Sequence, residues 1–186
     1  MATERAIFVG PSLYGVRVTK LKDELWLPPA SSGHILHTLL QDSPSTIVLI
    51  DGVFHQSMSV WHKELAYALL RGVVCIGAAS MGALRAAEMH RYGMIGVGKI
   101  FEMYRDGEED DSLVAMTFDA ESYRPILEAP VGQDQKRCDA LEVIEFARSY
   151  RVRASTTLTI ESISPFFERM ILSTLEQKHA RRRAKP

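Results

Sequence analysis

Along the first half of the chain, short uninterrupted apolar runs alternate with stretches whose apolar positions recur every three or four residues. The runs are "AIFVG" (6–10), "STIVLIDG" (45–52) and "GVVCIGA" (72–78), each closing on small or turn-forming residues. Continuous rather than alternating apolarity marks strands buried on both faces, as in a parallel sheet covered by helices. Between and after them, "GHILHTLLQ" (33–41), "VWHKELAYALLR" (60–71) and "SMGALRAAEMHRY" (80–92) carry the helical period. The order strand, helix, strand, helix, strand, helix predicts an α/β fold: an open, Rossmann-like parallel sheet flanked by helices.

Past Gly93 the pattern loosens. The segment 93–111 is punctuated by glycine and predicts a short helix at about 98–105, followed by an acidic turn and a strand, "LVAMTF" (113–118). Two further helices are predicted, at about 134–151 and about 165–182, with Pro165 suited to a first helical turn. The ending "KHARRRAKP" reads as a solvated helix end whose cations favour the negative end of the helix dipole. The expected organisation is an α/β core over 1–125 and a mainly helical C-terminal extension over 126–186, packed on or beside it.

Charge adds little direction, since 22 basic residues balance 23 acidic ones. No nucleic-acid or membrane partner is expected from that balance. No apolar run approaches the roughly 20 residues of a membrane helix, and "MATERAIFVG" has no signal-peptide pattern, so a cytoplasmic protein is expected. Cys75 and Cys138 form neither a disulfide framework nor a zinc spacing. His34 and His37 are three apart but lack a third ligand of convincing spacing, and no metal or other cofactor is expected.

Candidate chemistry concentrates in "CIGAASMGALRAAEMHRYGM" (75–94), where a buried run enters small residues and leaves as a helix with Ser80 at the corner. Three readings of Ser80 compete. As an N-cap it would accept a backbone N–H of the first helical turn. As part of a phosphate loop it has the G-x-x-x-x-G spacing from Gly77 to Gly82, but Ala83 and Leu84 stand where Lys and Ser/Thr should follow. As a nucleophile it would sit at the apex of a strand-turn-helix elbow, with small residues at Ala78 and Gly82 and the Met81 amide facing a developing oxyanion.

A serine nucleophile needs a base, and in an open α/β sheet ligands gather beyond the carboxyl ends of the strands. That rim gathers Gly10 to Ser12, Asp51 to Phe54 and Ser80. Beside it, "DGVFHQSMSVWHKE" (51–64) supplies His55, His62 and Glu64. His62 is the favoured base if its helix starts at the rim, although a helix-start histidine is often just partly exposed. Asp51 ends a buried strand, so its carboxylate has to be solvated, hydrogen-bonded or used. Asp51 and Glu64 are both candidates for a third catalytic member. Arg85 either pairs with Glu88 across one helical turn or faces the rim and holds an anion.

These same stretches resemble the TfuA-like family: "IFVGPSL" (7–13), "LPPA" (27–30), "IDGVF" (50–54), "VWHKE" (60–64), "GAASMGALRAAE" (77–88), "GMIGVGKIFEMYRDG" (93–107) and "DDSLVAM" (110–116). The resemblance weakens after about residue 125. It implies a partner of a YcaO protein in backbone thioamidation, helping to supply sulfide from the thiocarboxylated C-terminus of a ThiS-type sulfur carrier. Ser80 would then attack the thiocarboxylate carbon, with His62 as base, Asp51 or Glu64 orienting it, and Gly10, Ser12, Met81 and Arg85 binding substrate. His55 falls outside the matching stretches and ranks behind His62. A non-catalytic adaptor that binds YcaO and the carrier or the precursor peptide is the alternative.

Overall fold

The computed structural model describes residues 3–53, 58–108, 110–127 and 130–150. All belong to one compact unit spanning 1–154. The helix expected at 165–182, the basic tail and His55 lie outside the described residues.

Five parallel strands form the main sheet: β1 (Arg5–Phe8), β2 (Glu24–Leu27), β3 (Thr46–Leu49), β4 (Val74–Gly77) and β5 (Ile95–Gly96). Their spatial order is β2-β1-β3-β4-β5. The helices are α1 (His34–Gln41), α2 (His62–Leu70), α3 (Met81–Met89), α4 (Lys99–Arg105) and α5 (Gln133–Ser149). A separate antiparallel pair joins β6 (Thr117–Phe118) to β7 (Pro125–Leu127).

The period-two alternation of side chains divides each central strand between two faces. Ile7, Val48, Ile50, Ile76 and Ala78 pack with Ala140, Val143, Ile144 and Ala147 of α5. Ala6, Phe8, Ile47, Leu49 and Cys75 point the other way and are also buried, on the side where α2 and α3 pack. Burial in that layer pushes the Cys75 thiol up to about 12. Helix α5 is therefore one of the two walls of the sheet. It is tied to distant parts of the chain by Arg5 Nε donating to the Ala147 carbonyl at 3.1 Å and by Arg148 pairing with Glu24 at 2.7 Å. Buried Asp139 accepts the Ile100 N–H at 2.8 Å, so α5 also caps the first turn of α4.

Besides β5 and β7, which the sequence pattern does not mark, two further segments differ from expectation. "ELWL" forms an additional strand, β2, at the sheet edge, where its half-exposed residues lack the continuous apolarity that marks the central strands. The strand expected at 113–118 is instead a 3-10 turn at Asp111–Leu113 followed by the two-residue β6. Among the described residues, no helix is long and apolar enough to cross a membrane.

Candidate functional site

The chain direction across the sheet reverses at β1 and β3: β2 lies to one side of β1, whereas β3, β4 and β5 follow on the other. The crevice beyond the carboxyl ends of those two strands is the place where such sheets bind ligands. Gly10, Pro11 and Ser12 follow β1 there, and Asp51 follows β3. The structure brings them together. Asp51 Oδ2 accepts the Gly10 N–H at 2.8 Å and the Ser12 N–H at 3.0 Å, while Oδ1 accepts the Ser12 hydroxyl at 2.6 Å. Asp51 is buried, and burial pushes its carboxyl up against the lowering effect of those donors and of the nearby Lys136 ammonium.

Ser80 stands on the same rim, because β4 pairs with β3 in a register that places Leu49 opposite Gly77. The chain then turns sharply at Ala79, whose φ of 65° is in the left-handed region. A non-glycine residue there carries roughly 1–2 kcal/mol of strain. The elbow pattern predicts this bend at Ser80 itself; it falls one residue earlier.

Ser80 occupies the N-cap position of α3, yet its side chain caps nothing. The hydroxyl donates instead to the Val114 carbonyl at 3.2 Å. The cap reading is thus corrected by a contact 34 residues away in sequence. Among the described residues no acceptor meets the Met81 N–H, the first of the helix, whereas the Gly82 N–H is taken by Ile50 O at 3.1 Å. The same Val114 oxygen receives a second donor, Lys136 Nζ of α5, at 3.0 Å. Ser80 and Lys136 are 3% and 1% exposed, so the cluster is closed to solvent.

His62 and Arg85 sit elsewhere. His62 Nε2 is 2.7 Å from Glu88 Oε2, which also accepts Arg85 Nη1 at 2.6 Å. Arg85 further donates to Val60 O at 2.9 Å and Ser59 Oγ at 3.1 Å, pinning the approach to α2 against α3. Glu88 is held below the usual carboxylate range by His62 and Arg85 despite its partial burial, which acts the other way. It lies eight residues beyond Ser80, about 12 Å along the helix. Among the described residues no hydrogen bond joins His62 to Ser80.

Glu64 serves helix ends. Its Oε1 accepts the Gly33 N–H at 2.8 Å and the Trp61 N–H at 3.4 Å, and its Oε2 accepts the Leu36 N–H at 3.2 Å, so one buried carboxylate satisfies the starts of α1 and α2. Removing it strands these donors. Glu64→Ala is expected to cost about 1–3 kcal/mol, read as a lowered midpoint in urea unfolding; an unchanged midpoint would show that the carboxylate does not hold these helices.

Lys136 is the functional candidate that sequence reasoning missed, since "DQKRCD" looks like a solvated charged turn of helix. A signal was present: position 136 is in step with Ala140, Val143, Ile144 and Ala147 on the buried face of α5. A lysine in an apolar stripe has to be matched by something at its tip.

A family model described as TfuA-like protein matches residues 51–159, more than half of the chain. The matched range contains Asp51, Ser80, Val114 and Lys136, starts after Gly10 and Ser12, and takes in α5. No curated protein matches the chain.

Proposed function

Since the chain belongs to the TfuA-like family, which associates it with YcaO-dependent thioamidation, we propose that it supplies sulfide to a YcaO enzyme by hydrolysing the thiocarboxylated C-terminus of a ThiS-type carrier, with Ser80 as nucleophile. The observation that carries this reading is the state of the Ser80 corner. Its hydroxyl is spared from capping and sits where a strained strand end meets a helix start, and the Met81 N–H beside it is unpaired among the described residues.

The chemistry is balanced and needs no cofactor. Ser80 Oγ attacks the thiocarboxylate carbon, the oxygen on that carbon gains charge facing the Met81 N–H, and the C–S bond breaks to release hydrosulfide. The hydroxyl proton leaves on the sulfur. Water then hydrolyses the acyl-serine to free carrier and restores the hydroxyl. Asp51, gripping the Gly10–Ser12 turn, shapes the floor of the crevice rather than touching the reacting carbon. The assignment of His62 as base requires it to leave Glu88, so the proposal does not rest on it.

The burial of Ser80 favours a second reading, in which the protein is an adaptor that binds YcaO and the carrier or the precursor peptide without chemistry of its own. Mixing the purified protein with thiocarboxylated carrier, without YcaO, separates the two. Catalytic release of hydrosulfide is expected, at many turnovers per protein. Release no faster than from carrier alone would leave the adaptor.

A further inference from the structure

A fully buried lysine is an expensive residue. Bringing an ammonium out of water costs several kcal/mol even after relaxation, and a well-packed apolar side chain commonly does as well or better where only structure is at stake. Lys136 nevertheless stands in the first turn of α5, 1% exposed, on the face that otherwise carries Ala140, Val143, Ile144 and Ala147. Its position is fixed from two sides. Gln133, three residues earlier, donates from Nε2 to the Pro11 carbonyl at 2.6 Å, anchoring the start of α5 over the turn that holds Asp51. At the other end, the ammonium donates to Val114 O, the acceptor that the Ser80 hydroxyl also uses.

Two donors from different elements converging on one backbone oxygen mark a point in space. An atom at that point is 3.2 Å from Ser80 Oγ and 3.0 Å from Lys136 Nζ. That is hydrogen-bond range for both. The site's cation is also close enough to Asp51 to pull that carboxyl down, which ties it electrostatically to the switch-point crevice.

Resting on the hydrolytic reading above, we propose that Lys136 is a catalytic residue of the Ser80 site: its ammonium binds the sulfur of the thiocarboxylate at the point now filled by the Val114 carbonyl and protonates that sulfur as it leaves. The substrate is an anion under ordinary conditions, and an anionic acyl group resists attack unless its charge is matched. Lys136 supplies the match. With sulfur at the marked point, the adjoining carbon comes within reach of Ser80 Oγ. As the Oγ–C bond forms and the C–S bond breaks, Lys136 gives a proton to sulfur and receives the hydroxyl proton of Ser80. The products are acyl-serine and hydrosulfide, and the lysine ends as it began, an ammonium. The Val114 carbonyl has to withdraw for substrate to enter, and in the closed form it keeps both donors satisfied.

The test compares hydrosulfide release from thiocarboxylated carrier by the full-length protein and three variants, Ser80→Ala, Lys136→Met and Lys136→Arg, each with a thermal melt. Methionine keeps all but the last atom of the side chain's length and removes the cation. A folded Lys136→Met is expected to lose about 100-fold or more in kcat, the scale of proton transfer by a positioned group. Arginine keeps the charge but surrenders no proton, so Lys136→Arg is expected to hold KM within a few-fold while kcat falls by a similar factor. A strut for Val114 would not produce that split. Should Lys136→Met fail to fold, Lys136→Arg decides alone: kcat near that of the unmodified protein overturns the proposal, as does full release by folded Lys136→Met. If Ser80→Ala is dead and the Lys136 variants are fully active, the hydrolytic reading stands and the lysine assignment falls. If the unmodified protein releases nothing, both fall.

Discussion

Ser80→Ala is expected to lower hydrosulfide release by about a thousandfold or more while leaving the fold in place. The two effects separate because, among the described residues, the hydroxyl makes one hydrogen bond, to Val114 O, and caps no helix N–H. Its removal leaves that oxygen with the Lys136 ammonium as donor, so no buried acceptor is orphaned. The stability cost should stay within about 0.5–1.5 kcal/mol, the net value of one ordinary hydrogen bond. Loss of an activated nucleophile is of a different order, because no neighbouring group can form the acyl intermediate in its place. Release assays and melting curves on the same preparation give both numbers. Near-normal release by folded Ser80→Ala would end the nucleophile assignment and leave the hydroxyl as a tether for the segment around Val114.

Gly82→Ala is expected instead to strike the fold itself and destabilise it strongly. The α3 start lies against the end of β3, with the Gly82 N–H donating to Ile50 O at 3.1 Å. A Cβ on Gly82 would overlap the Leu49 carbonyl oxygen, and the Gly82 carbonyl in turn lies where a Cβ on Gly77 would go. Both obstacles are backbone, so no side-chain rotation relieves them; either α3 lifts off the sheet or the β3–β4 ladder separates. Small-to-large changes in tight cores cost about 1–3 kcal/mol, occasionally more, and a backbone collision belongs at or beyond that upper end. A loss of about 4 kcal/mol would lower the melting temperature of a domain this size by roughly 8–16 °C. It is also a large part of a total stability of about 5–15 kcal/mol. A melting temperature within a degree or two of the unmodified protein would show that α3 is not seated by this contact.

The parallel layer was legible because β1, β3 and β4 are buried on both faces and their sequences contain almost nothing polar until the strand ends. Glu24 to Leu27 gave no such signal, since an edge strand has one open side and can carry charge. The rim was legible for a related reason: Asp51 is a carboxylate at the end of a buried run, and the amides that satisfy it lie directly after the neighbouring strand. What sequence spacing did not reveal is non-local. Ser80 looked like a cap because local rules favour one, and only Val114, reached through a turn and an irregular segment, shows where the hydroxyl goes. His62 and Glu64 looked like a base and its orienting acid from their nearness to Asp51 in sequence. One turn of α2 is enough to send His62 to Glu88 and Glu64 to the amides of α1. Lys136 was hidden by its polar surroundings, Asp134, Gln135 and Arg137, none of which is buried, whereas its own position follows the buried face of α5.

The closure of the sheet by α5 sets an order in time. Arg5 on β1 meets the carbonyl of Ala147, 142 residues later, and Ile7 shares a core with Val143 and Ile144. During synthesis the strands that carry Gly10, Asp51 and Ser80 emerge long before the helix that covers them, so one apolar face of the sheet has no cover until α5 leaves the ribosome. Contacts of such separation are reached late and slow the folding search. A nascent chain therefore has Ser80 well before Lys136, and the two meet at Val114 only when the last described helix folds back onto the first strand.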